Sequence, residues 1–128
     1  MSLADRVIAR DATTDRAAIV AALAGGAGLS ATPAPPDVPT AGAAWPVWDQ
    51  TTYAGKLSLP AQPAYLIYVL LPAGYNPSTI DAGDQFITDV VSALWPLGNI
   101  EWAEPVAVRF DDAGMTMPAI RVRLVMRG

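Results

Sequence analysis

The chain has 128 residues, 52% of them apolar and 16% charged, with twelve acidic and eight basic side chains and a net charge of −4. That length suits one domain burying roughly two-thirds of its unfolded surface, the apolar content excludes disorder of the whole chain, and the acidity argues against a free-standing nucleic-acid binder. With no Cys and no His, disulfides, thiolate and imidazole metal sites and the usual proton shuttle near neutral pH are all absent.

Residues 1–12 carry weak helical signals and read as an arm or a short helix. Thr13 or Thr14 is placed to cap a helix over about 15–24, with Asp15 at its positive end, Ile19, Val20 and Leu23 as its apolar stripe and Gly25-Gly26 as its stop. The Pro/Ala/Thr-rich stretch 28–42 has no periodicity and reads as a loop, partly extended. "WPVWDQTTY" (45–53) reads as a strand with Pro46 at an edge. "AYLIYVLL" (64–71) is apolar on both faces and therefore a central strand. Ser78, with Asp81 three residues on, starts a helix whose inner face is Gly83, Ile87, Val90, Val91 and Leu94; Asp84, Gln85, Thr88 and Asp89 point outward, and Pro96 and Gly98 end it. A hairpin closes the chain, turning at Asp111-Asp112-Ala113-Gly114. Its last strand sends Ile120, Val122, Leu124 and Met126 to one face and Arg121, Arg123, Val125 and Arg127 to the other. The expected fold is α+β: a small, mostly antiparallel sheet with two helices packed on one face, residues 1–128 forming a single domain.

The longest apolar run, Ala64 to Leu71, is eight residues, against about 20 for a membrane-spanning helix. Residues 17–34 have the look of a signal peptide but lie behind Asp5, Asp11 and Asp15, which sets the secretory reading aside. Motifs for chemistry are scarce. "GGAG" (25–28) lacks the Lys-Ser/Thr of a phosphate loop and is explained as a helix cap. Ser30 has no G-x-S-x-G elbow and no His to activate it. Glu101 and Glu104, three apart on a strand, are expected on opposite faces. Asp111 and Asp112 are turn formers. The expectation is no catalysis, no cofactor and no metal.

Two features remain. Trp95, at a helix end, reads as core, whereas Trp45 and Trp48, after the Pro-rich loop, read as partner-facing anchors or core, ahead of a sugar-stacking role. Arg109, Arg121, Arg123 and Arg127 hold half the basic residues within the last twenty positions. They have three readings: a solvated strand face, a phosphate contact, or an inter-subunit seam with carboxylates such as Asp84 and Asp89. The protein's acidity favours the seam. Opposite charges on opposite sides of one domain suit a head-to-tail ring.

Taken together, "DRAAIVAAL" (15–23), the Pro-rich loop leading to "AWPVW" (44–48), "PAYLIYVLLP" (63–72), "IDAGDQFITDVVSALW" (80–95) and the closing strands resemble the tail terminator proteins of long-tailed bacteriophages, in the style of those infecting actinobacteria. The resemblance covers roughly 14–128 and is one of length, order and style, without a diagnostic motif. It implies a structural protein, made in the host cytoplasm and placed at the neck of the virion. There a homohexameric ring caps the tail tube, stops tube polymerisation and meets head-completion proteins, with DNA passing through the lumen. It implies no catalytic residue and assigns no role to the arginines. Left open beside it are another head–tail connector or head-closure component, a small secreted carbohydrate-binding module using Trp45 and Trp48, and a bacterial domain with a small-molecule pocket.

Overall fold

The structure, a computed structural model, describes residues 12–37, 40–52, 62–71, 80–110 and 114–126. In chain order they form α1 (Ala12–Gly26), β1 (Ser30–Ala31), β2 (Ala43–Thr52), β3 (Gln62–Leu70), α2 (Ile80–Leu94), a 3-10 turn (Trp95–Leu97), β4 (Gly98–Phe110) and β5 (Met115–Met126). The five strands make one sheet in the order β1-β2-β3-β5-β4, antiparallel except for the short β1–β2 pairing. The fold is α+β, as the residue pattern predicts. Ser78, Asp111, Asp112 and Arg127 lie outside the described residues, as does most of the 1–12 arm.

Both helices cover one face of the sheet. Ile19 and Leu23 of α1 and Val90 and Leu94 of α2 are buried against Tyr65, Ile67 and Val69 of β3 and Val122 and Leu124 of β5. Each of these aliphatic side chains contributes about 1.5–3 kcal/mol by leaving water. β3 lies between β2 and β5 and packs on both faces, Tyr65, Ile67 and Val69 in the helix-side core and Tyr68 and Leu70 with Trp45, Val106, Val108 and Phe110 on the other side. α1 is longer than its cap signals suggest and runs through both glycines. Gly26 is where the helices touch, and a Cβ there would come within 2.9 Å of the Ala93 side chain. Beyond the helix, Leu29 N–H donates to the Leu23 carbonyl at 3.3 Å, with Gly28 at φ +66° between them, so the helix stop is at Gly28 and not at Gly25-Gly26. Asp15, expected to serve the helix dipole, is buried, and accepts a hydrogen bond from the Tyr65 hydroxyl at 3.3 Å.

β1 has no counterpart in the sequence reading of 28–42 as loop, because two residues leave no periodicity to see. Its presence orients the edge of β2. Ala44 C=O accepts from Thr32 N–H on the β1 side, so Pro46, two residues on, points its missing N–H toward the same side, past the end of β1. Pro105 on β4 does likewise. Pro118 C=O of β5 faces β3, accepting from Leu71 N–H; Arg121 therefore bonds toward β4 and pairs with Glu104, leaving Pro105 turned outward. Both open edges of the sheet thus carry a proline where a donor would otherwise stand.

Among the described residues no helix is long and apolar enough to cross a membrane.

Candidate functional site: the uncovered sheet face

The sheet face away from the helices is covered by no other element among the described residues. Strand alternation and register place on it Trp45 and Val47 of β2, Leu66, Tyr68 and Leu70 of β3, Ala119, Arg121 and Arg123 of β5, and Trp102, Glu104, Val106, Val108 and Phe110 of β4. The lower half is a belt of charge and the upper half an aromatic groove.

The belt corrects two expectations. Arg121 Nε donates to Glu104 Oε1 at 2.9 Å and its Nη2 to the same oxygen, while Nη1 reaches the Tyr68 hydroxyl at 3.5 Å. Its guanidinium lies 6.0 Å from the Tyr68 ring centroid and 5.6 Å from that of Trp102. The hydrogen bonds to Tyr68 and Glu104 raise its already high pKa. Arg123 Nε donates to Glu101 Oε1 at 2.8 Å and Nη1 to Asp49 Oδ2 at 3.2 Å, so it clamps β4 on one side and reaches across β3 to β2 on the other. The arginines do not form a bare positive patch: two of them meet three carboxylates of the same chain. Glu101 and Glu104, expected on opposite faces, lie on one. A bulge between Ile100 and Trp102 inserts an extra residue and turns Glu101 toward Arg123.

Arg109 leaves the row altogether. It stands five residues beyond Glu104 with no register shift between them, so its side chain projects from the opposite face. Asp89 is exposed on α2, on the far side of the domain from Arg121 and Arg123. The side chain of Asp84 and the whole of Arg127 lie outside the described residues.

The tryptophans also rearrange. Trp45, expected with Trp48 to face a partner, is 3% exposed; its ring stacks on Tyr68 at 5.7 Å and meets Phe110 edge-on at 6.0 Å. The end of the β4–β5 hairpin extends beyond β3 and carries Phe110 over the face to reach it. Trp48 is 52% exposed, its indole N–H donating to Thr51 Oγ1 at 2.9 Å. Trp95, expected in the core, is 61% exposed. It follows Leu94, the last buried residue of α2, by one position, and the ~100° rotation per helical residue carries it off the apolar stripe. Trp102 is 37% exposed.

A groove of about 600 Å³ opens over Trp45 and Tyr68, walled by Val106 to Phe110 on the hairpin side and by Pro35 on the other, with Arg121 at its margin. A second hollow of about 390 Å³ lies beside Trp95, Gly98, Asn99 and Gln62. Among the described residues no three acidic side chains are grouped to hold a metal ion. What this face offers is rings, aliphatic side chains and charges held in place.

Compared with known proteins, the chain matches no protein-family model and no curated protein sequence.

Sequence reasoning missed Glu104, Glu101, Asp49, Tyr68 and Phe110 as members of this face. Counting outward from the hairpin turn pairs Glu104 with Arg121, so that one was there to be found; the bulge at Glu101 and the long reach to Asp49 have no local signature.

Proposed function

We propose that the protein is a non-catalytic structural subunit that works by self-association. On this reading it is the tail terminator of a long-tailed bacteriophage, forming a ring that caps the tail tube, ends its polymerisation and joins it to head-completion proteins around a lumen for DNA. The observation carrying the proposal is the exposure of three indoles, Trp102 on the uncovered sheet face, Trp48 on the other side of β2 and Trp95 just past the end of α2. Exposed tryptophan is uncommon on monomers and frequent at the energetic centres of interfaces. Edge-to-edge strand pairing is blunted by Pro46 and Pro105, which leaves faces and corners as the contact surfaces.

The proposed seam runs head to tail, from the arginine face of one copy to the α2 face of the next, where Asp84 and Asp89 are carried. Arg121 and Arg123 bring their own carboxylates to it, so the contact rests on burial of rings more than on opposite charge. Neutralised in this way, the two arginines enter an interface without leaving an orphan charge.

The test is mass and shape. Sedimentation and negative-stain microscopy of the pure protein, alone and with tail tubes, are expected to show closed rings at a multiple of the 13.4 kDa chain mass. A chain that stays monomeric at high concentration and leaves tube ends bare overturns the reading.

A further inference from the structure

The charges around the groove over Trp45 and Tyr68 are already satisfied within the chain. Arg121, at its margin, is paired with Glu104 and bonded to Tyr68, and Arg109 projects from the other face. What the groove offers is uncharged: the stacked rings of Trp45 and Tyr68, Phe110 edge-on beside them, and the half-buried wall of Val106 and Val108. Ring faces and branched aliphatics around a hollow of about 600 Å³ suit an aromatic guest, which has no charge to desolvate and gains from stacking and edge contacts.

The molecule carries such a guest on its own surface. Of its three exposed indoles, Trp48 and Trp102 stand on β2 and β4, strands that themselves build the groove. Trp95 belongs to a different element, the 3-10 turn after α2, and at 61% exposure it is the most exposed of the three. A head-to-tail contact joins two different patches, so Trp95 is the indole that qualifies. Its position is fixed from both sides. Leu94 before it is fully buried, Pro96 after it holds one backbone torsion, and Gly98 is packed against the backbone of Val125 and Met126. Ordering this side chain in an interface therefore costs little, since an indole turns about only two side-chain bonds. The chain around it also matches the groove electrically. Residues 90–100 contain no charged side chain, so docking strands no ion on either side.

We propose that Trp95 of one copy inserts into the groove of the next, its ring against Tyr68 and Phe110 and flanked by Val106 and Val108. This names the contact inside the seam and so rests on the self-association reading above.

The test mixes two disabled copies of the full chain. Trp95→Ala lacks the knob and keeps the groove; Val108→Trp fills the groove and keeps the knob, with Val106→Trp as a second filled version. Each alone is expected to associate at least about thirtyfold more weakly than the native chain in analytical ultracentrifugation, with an unchanged circular dichroism spectrum. Mixed one to one, Trp95→Ala and a filled variant are expected to form a heterodimer and stop there, because one knob and one open groove remain. Association of Trp95→Ala equal to that of the native chain overturns the inference. So does a mixture that stays monomeric with a folded filled variant, or one that grows beyond the dimer. Trp95 is exposed, so Trp95→Ala folds and decides the matter even where neither filled variant does. Rings that persist in Trp95→Ala remove this contact and leave the ring reading. A heterodimer from a chain whose native form never closes a ring removes the ring and leaves the contact, and a native chain and mixture that are both monomeric remove both.

Discussion

At the scale of single residues, two neighbouring tryptophans three positions apart have opposite roles, and substitution separates them. Trp45 fills the upper half of the open face, so Trp45→Ala is expected to cost about 3–5 kcal/mol, seen as a large fall in the urea midpoint. Trp48 has one hydrogen bond and half its surface in water; Trp48→Ala is expected to change stability by less than about 1 kcal/mol while reducing self-association measured by sedimentation. A loss of stability for Trp48→Ala equal to that for Trp45→Ala contradicts this assignment. Arg123 is the second case. Its side chain is only 13% exposed and holds carboxylates of two strands. Arg123→Met keeps the apolar stem and leaves Asp49 and Glu101 unpaired, at a cost of about 1–2 kcal/mol. Urea unfolding with and without 1 M NaCl checks the cause, since salt screens the pair in the native protein and narrows the gap.

At the scale of elements, backbone geometry decides. Gly98 begins β4 with an extended φ of 172° that any residue adopts. Its glycine is required instead by contact: a Cβ would overlap the Val125 carbonyl and lie 2.9 Å from the Met126 Cα. Gly98→Ala is expected to lose about 1–3 kcal/mol or more, because strand backbone has little room to move. Gly25, in α1 with open space around its Cβ position, is the control: Gly25→Ala is expected to gain about 0.5–1 kcal/mol. Thermal unfolding of the two variants gives shifts of opposite sign if this assignment holds. The edge of β4 supplies another prediction. Pro105→Val restores a donor on an open edge, and scattering and thioflavin fluorescence are expected to rise on incubation; an unchanged signal means Pro105 does not guard that edge.

For the molecule as a whole, the consequential feature is asymmetry. One sheet face is sealed by two helices and the other carries rings and paired charges, and a domain with different opposite faces suits contacts that join unlike patches. Substituting Trp48, Trp95 and Trp102 together by Ser is expected to leave the fold cooperative by circular dichroism and to abolish rings in sedimentation. Rings that persist place the seam elsewhere.

Much of this architecture was legible along the chain. Eight consecutive apolar residues from Ala64 marked the central strand, the spacing of Ile87, Val90 and Leu94 the inner face of a helix, alternation from Ile120 to Met126 the two faces of the last strand, and Gly114 a turn, where it takes φ +63°. These signals survive folding because each reflects a local periodicity that the backbone imposes and one buried face rewards. Tertiary structure alone decided which charges meet. Arg123 finds Asp49 across 74 positions, Glu101 joins it through a bulge, and Phe110 arrives over Trp45 because a long hairpin curves beyond its neighbours. Such pairings depend on strand order, register and twist. Those are settled by packing the whole sheet at once, so no short stretch of sequence carries them.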